Sequence, residues 1–200
     1  ELYGVRFLGP KAYLVTYERI DPFYVIDLSD PEDPYIAGEL LIPGFSNFIH
    51  PVTEKLIHGL GPNENSITKL ELFDVSDINN PSSKSVLPLE IGNSWSISEA
   101  EYNRHAFTYL PFSDSVDRFT IPTESYSQNS NLNLKLHLLE VRNKDLPENA
   151  SLFKVGEIDT KNFSKGSSRS VIDGDAVYFS NETNVWSTLW SDPSAVTGPK

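Results

Sequence analysis

Cysteine is absent from all 200 residues. That excludes disulfides, thiolate metal sites and cysteine nucleophiles together. Basic residues are scarce: 16 Lys and Arg stand against 28 Asp and Glu, a net charge of −12. With that field and no basic stripe, nucleic acid and anionic membrane surfaces are not expected partners. No apolar run approaches the roughly 18 residues that a bilayer-spanning helix needs, so this segment is not expected to insert into a membrane. Several chemical signatures are missing too. The sequence has no Gly-x-Ser-x-Gly, no His-x-His, no His-Glu-x-x-His and no Asp-x-Asp-x-Asp-Gly. Gly59-Leu60-Gly61 lacks the third glycine and the strand-to-helix context of a nucleotide fingerprint.

Helical periodicity is also sparse, and period-2 alternation fills the space. Lys69-Leu70-Glu71-Leu72 and Leu132-Asn133-Leu134-Lys135-Leu136 are examples. The chain is 38% hydrophobic and 12% aromatic, so it is globular, and its 14 Pro and 11 Gly suit many turns. One segment recurs. Asp27-Leu28-Ser29-Asp30-Pro31 follows Phe23-Tyr24-Val25-Ile26, and Asp74-Val75-Ser76-Asp77 follows Leu70-Glu71-Leu72-Phe73, an interval of 47 residues. A strand-rich unit of that length is the size of one propeller blade of four antiparallel strands.

Traced along the chain, the pattern predicts an all-β propeller of about four blades, near 1–44, 45–93, 94–166 and 167–200, within a single domain and as part of a larger ring. The first unit places strands at 5–8, 12–17, 23–28 and 35–42. The second places them at 46–50, 55–60, 68–75 and 84–91. The third opens at Trp95-Ser96-Ile97-Ser98, passes through 105–109 and 117–121, and reaches its third strand at 132–141. There Glu140-Val141-Arg142-Asn143 stands where the Asp turn stood. From Asp74 to Glu140 is 66 residues, about 19 more than the repeat, and the excess is assigned to a Ser/Asn-rich loop at 122–131. The fourth unit has strands at 168–172, 176–179 and 185–190, then Ser191-Asp192-Pro193. Only the short Ala195-Val196-Thr197 remains for a fourth strand, so this blade is expected to be incomplete. The chain opens on Glu1 rather than Met and is expected to be a processed or excised piece of a longer protein.

Asp and Ser side chains accept hydrogen bonds from N–H groups two residues on, so the recurring turn reads as a strand-ending Asx turn. The competing reading is calcium bound by Asp21, Asp27, Asp30 and Asp33, without calcium-loop spacing. Asn149-Ala150-Ser151, Asn162-Phe163-Ser164 and Asn181-Glu182-Thr183 fit the glycosylation sequon and read as chance matches in a bacterial protein. His50, His58, His105 and His137 show no metal-ligand spacing, with His50 and His58 on adjacent strands of one blade. Most aromatics, among them Phe7, Tyr13, Tyr17, Phe23, Tyr24, Phe73, Phe107 and Tyr178, are assigned to the blade core. Trp95, Trp186 and Trp190 either pack between blades or form a recognition patch.

The chain resembles the secreted β-propeller domain proteins of bacteria and archaea. The resemblance is carried by Val5-Arg6-Phe7-Leu8-Gly9 through Asp30-Pro31, by Ile42-Pro43-Gly44-Phe45-Ser46 with His50-Pro51, by Leu72-Phe73-Asp74-Val75-Ser76-Asp77, by Ser98-Glu99-Ala100, and by Arg169-Ser170-Val171-Ile172. It implies an exported propeller, secreted, periplasmic or at the cell surface, with no catalytic residues to carry over. It also implies longer family members, of which this chain matches the C-terminal part.

In a propeller the first strand of each blade lines the central channel. Arg6, Asn47, Glu99 and Arg169 are polar residues on those strands and form the candidate ligand site at the channel mouth. The favoured function is a non-enzymatic exported scaffold that binds a protein, peptide or glycan at the cell envelope. The alternative is a metal-dependent, calcium-type enzyme with its site at the same mouth. No resident cofactor or catalytic residue is assigned. Partners also include remaining blades or a second copy of the chain.

Overall fold

The computed structural model describes residues 2–16, 21–44, 46–92, 95–126, 132–161 and 166–200. Strands alternate with tight turns, so each joins its sequence neighbour in an antiparallel meander. β1 (Leu2–Leu8), β2 (Lys11–Thr16), β3 (Asp21–Asp27) and β4 (Tyr35–Ile42) form the first sheet. β5 (Phe48–Pro51), β6 (Leu56–Pro62), β7 (Thr68–Asp74) and β8 (Ser82–Pro88) form the second. The third holds β9 (Trp95–Ile97), β10 (Thr108–Pro111), β11 (Val116–Tyr126), β12 (Leu132–Arg142) and β13 (Ser151–Asp159). The fourth holds β14 (Ser168–Asp173), β15 (Ala176–Asn181) and β16 (Asn184–Leu189). Sheet after sheet, in chain order, is the architecture of propeller blades. Among the described residues no helix is long and apolar enough to cross a membrane.

The sheets pack face to face through three apolar seams. Tyr13, Val15, Phe23 and Val25 of the first sheet meet Ile49, Ile57, Phe73 and Val75 of the second. Leu56, Leu60, Leu70 and Leu72 meet Phe119, Ile121, Leu139 and Val141 across the next seam. Leu134, Leu136 and Leu138 meet Val177, Phe179, Trp186 and Trp190 across the last. Among the described residues each terminal sheet therefore has only one covered face. Residues of opposite parity on the first sheet, Phe7 and Leu41, are 67% and 59% exposed. On the last sheet Val171 and Tyr178 are 56% and 46% exposed. Phe7 and Tyr178 are thus not core residues of this arc, because among the described residues no neighbouring sheet covers their side. Tyr17 lies outside the described residues.

The recurring turns are Asx turns. Asp27 accepts from Ser29 N–H at 2.8 Å, Asp30 from Glu32 N–H at 3.0 Å, Asp74 from Ser76 N–H at 2.9 Å and Asp77 from Asn79 N–H at 3.0 Å. These carboxylates close turns; the Asp21 side chain lies outside the described residues. The turns also lock sheets together. A Cβ on Gly38 of β4 would sit 2.1 Å from the Ile78 carbonyl and 2.7 Å from Pro81, in the turn of the second sheet. A Cβ on Gly156 of β13 would sit 2.2 Å from Pro193, in the equivalent turn of the fourth. Both glycines lie beside a bulge, which bends the outer strand around the incoming turn.

The enlarged third sheet departs from expectation. Residues 122–126, assigned to a loop, are strand: β11 and β12 form a hairpin of 11 residues on each side. Residues 127–131 lie outside the described residues. The second departure is the inner strand, which is split. β9 pairs with β11 at Glu124–Tyr126 and β10 pairs with it at Asp117–Thr120. Residues 98–107 leave the sheet between them, so β10 continues the inner strand rather than starting a second. Pro122, which has no N–H to donate, lies in the gap. In the fourth sheet no regular outer strand forms, but Ser187 and Thr197 exchange backbone hydrogen bonds at 2.9 and 2.8 Å, and Val185 and Lys200 do so at 3.2 and 3.0 Å.

Candidate functional site

The excursion at 98–107 is built from two 3₁₀ turns, and its sequence explains why it holds a shape. Ser98 and Glu101 form a capping box: the Ser98 hydroxyl accepts from Ala100 N–H at 3.2 Å and Glu101 accepts from Ser98 N–H at 2.9 Å. The Ser98 hydroxyl donates to the Pro122 carbonyl at 2.6 Å, tying the cap to the gap in the sheet. Asn103 caps the second turn by accepting from His105 N–H at 3.2 Å.

Both flanking sheets grip this element. On one side the Asn47 amide donates to Glu101 at 2.7 Å. On the other, Glu99 accepts from Ser168 N–H at 2.7 Å and from the Arg169 guanidinium at 3.2 Å, while Asn103 donates to it at 2.6 Å. Of the four residues expected on inner strands only Arg6 and Arg169 lie on one; Asn47 sits just before β5 and Glu99 in the first 3₁₀ turn, yet Asn47, Glu99 and Arg169 converge on the excursion. Glu99 is buried, so its carboxylate serves the clamp between sheets three and four. Arg6 stands apart. It lies on β1, with its Nε buried and without a partner among the described residues, and its charge is felt at His50.

The capped turns carry Tyr102 outward, 70% exposed. Burial of part of the ring, then the charges of Glu124, Glu99 and Glu101, raise its hydroxyl above the ordinary tyrosine range. Burial likewise raises the Glu101 carboxyl. A groove of about 440 Å³ runs along one side of Tyr102, edged by Glu99, Asn103, Glu124, Ser167 and Glu182. A smaller one of about 230 Å³ runs along the other, edged by Gly4, Asn47, Phe48, Glu101 and Arg104. Tyr102, Arg104, Glu124 and Glu182 were not picked out from sequence. The available signal was Ser98-x-x-Glu101, a helical start inside a strand-rich unit. Among the described residues no group of three or more His, Asp or Glu is placed to hold a metal ion.

Two other polar clusters lie inside the arc. Thr123 Oγ1 is 2.8 Å from His137 Nε2, and His137 Nδ1 is 3.6 Å from Glu157, an order of groups that resembles a nucleophile, base and acid. All of Thr123 and His137 is buried, however, and the Thr123 hydroxyl donates to Glu90 at 2.7 Å. Burial lowers the His137 pKa, against the hydrogen bond and charge of Glu90, which raise it. Burial alone would raise Glu90, but hydrogen bonds from His137 and Thr123 and the charge of Lys135 bring it down to about 2. The second cluster joins sheets two and three. His50 and His58 pair across β5 and β6, and their rings pack on Tyr109 at 4.5 Å and on Phe119 at 4.7 Å respectively. Trp190 also joins sheets, donating its indole N–H to Glu140 at 2.8 Å. With Trp186 it is buried in the seam, whereas Trp95 is half-buried against Tyr126.

Two archaeal proteins are similar to this chain. An uncharacterized protein of Methanocaldococcus jannaschii is 44% identical over 108 residues, which cover 54% of this chain and 17% of that protein. An uncharacterized protein of Archaeoglobus fulgidus is 45% identical over 106 residues, 53% of this chain and 16% of that protein. The chain thus spans a small part of the length of the relatives it matches. The model of the beta propeller domain family matches residues 1–192, nearly the whole arc of meandering sheets, and the chain belongs to that family.

Proposed function

We propose that this arc is the non-enzymatic binding part of an exported propeller protein, and that it captures a protein, peptide or glycan at the axial mouth. One observation carries the reading. The inner strand of the third sheet is broken by a capped, doubly clamped excursion that lifts Tyr102 into solvent between two polar grooves. An exposed aromatic on a rigid support contributes contact area at low entropic cost, which suits recognition. The two uncovered sheet faces support reading the arc as part of a larger ring, completed by further sheets of the same kind. Export to the envelope or beyond rests on the resemblance of the sequence motifs.

The test is an array of synthetic peptides and glycans of graded charge, read with the purified chain and with Tyr102→Ala. Saturable binding that weakens at least tenfold in the variant, with thermal stability unchanged, is the expected result. Equal binding by both proteins removes Tyr102 and the mouth from the site.

A further inference from the structure

The three Asn-x-Ser/Thr sequences fare differently once folded. Asn181 is 1% exposed on β15, and its amide nitrogen lies 3.0 Å from the Gly166 carbonyl and 3.4 Å from the Ser168 hydroxyl, donating to both. Asn162 lies outside the described residues. Asn149 is exposed at the end of the Pro147–Asn149 turn, between β12 and β13. Its backbone is fixed: the N–H donates to Leu146 at 2.8 Å and the carbonyl accepts from Asn143 at 3.3 Å. Its side-chain amide has no hydrogen-bond partner among the described residues. Ala150 is extended, with φ −65° and ψ 140°, and leads to Ser151 at the start of β13.

We propose that Asn149 is an N-glycan acceptor. The sequon supplies the amide and, two residues on, the hydroxyl. The tight turn presents the amide to solvent, so an enzyme can reach it without unfolding a sheet. Both similar proteins described above are archaeal, so a bacterial source is not the reason to set the sequon aside. The donor is an oligosaccharide carried on a lipid phosphate, delivered by a membrane transferase. The Asn149 nitrogen bonds to the anomeric carbon, and the bond from that carbon to the phosphate oxygen breaks. The phosphate keeps the electron pair, and the amide proton passes to a base of the transferase. Antiparallel alternation puts the β12–β13 turn at the sheet end away from the mouth, on the outer side of the arc. A glycan there leaves Tyr102 and its grooves open. One on Asn181 would stand beside Glu182, at the edge of the larger groove.

The inference rests on the export part of the proposed function, so the test supplies export independently. The full chain is secreted from yeast behind a yeast leader, and its peptides are read by mass spectrometry. Occupied Asn149 and bare Asn181 are expected. Ser151→Ala, which keeps the acceptor and the turn, is expected to return Asn149 to background, with circular dichroism unchanged. Secreted, folded chain with Asn149 bare, or with Asn181 occupied, overturns the assignment and leaves export and mouth binding untouched. Export itself is read separately, by fractionating cells of the source organism.

Discussion

Lowering the pH from 7 to 4.5 is expected to weaken the seam between the second and third sheets, and His58 is the main reason. Its side chain is 1% exposed, and neither ring nitrogen has a partner among the described residues. Burial, then the nearby His50, lower its pKa from 6.5 to about 3. The folded state keeps His58 neutral while the unfolded chain binds a proton below pH 6.5, so stability rises with pH between those values. The contribution is complete above pH 6.5 and is lost as the pH falls. Each unit is worth about 1.4 kcal/mol. Between pH 6 and 4.5 this one group therefore removes about 2 kcal/mol, a large share of the roughly 5–15 kcal/mol of a domain. His50, lowered to about 4 by burial and then by Arg6, acts in the same direction. His58→Phe keeps an aromatic ring against Phe119 and cannot titrate. Urea unfolding of both proteins at pH 7, 6, 5 and 4.5, followed by Trp fluorescence, isolates the term because all other titrations are shared. The variant is expected to lose about 2 kcal/mol less than the parent between pH 6 and 4.5. Identical pH dependence would refute the reasoning.

Two further expectations concern how sheets are joined. Gly38→Ala places a methyl group against the Ile78 carbonyl and Pro81, so the turn must back away from β4. Overpacking of this kind costs about 1–3 kcal/mol, seen as a lower urea midpoint, and an unchanged midpoint would show that the turn does not dock there. Glu99→Gln keeps the shape of the clamp but removes the charge that receives Ser168 N–H and Arg169. A loss of about 1–3 kcal/mol is expected, with faster amide exchange at Ser168. Unaltered exchange at that amide would count against a clamp between sheets three and four.

The strand order of the first two sheets was legible in the sequence because each strand is short, alternates in polarity and ends at an Asx turn. Those are local properties, set by residues within a few positions of one another. The same locality misread residues 122–126. Their Ser and Thr side chains look like a loop, yet Thr123 and Ser125 are buried strand residues, partnered by a hairpin that no local pattern announces. Phe7 and Tyr178 share the composition of core aromatics, and they are exposed because no sheet among the described residues covers them. For the site, chain position marked Asn47, Glu99 and Arg169 as inner-strand residues, but only Arg169 is one, since Asn47 precedes β5 and Glu99 belongs to a 3₁₀ turn. That they meet at one element, while Arg6 does not, depends on contacts 54 to 70 positions apart.

The sequence by itself determined the sheet repeat, its turns and the count of sheets, because hydrophobic period and turn chemistry act over a few residues. Only the tertiary structure decided which side chains face solvent. It let the sequon at Asn149 stand open while the one at Asn181 is closed, and it put Tyr102 in solvent beside two grooves. Exposure depends on what packs alongside, and the neighbours come from distant parts of the chain.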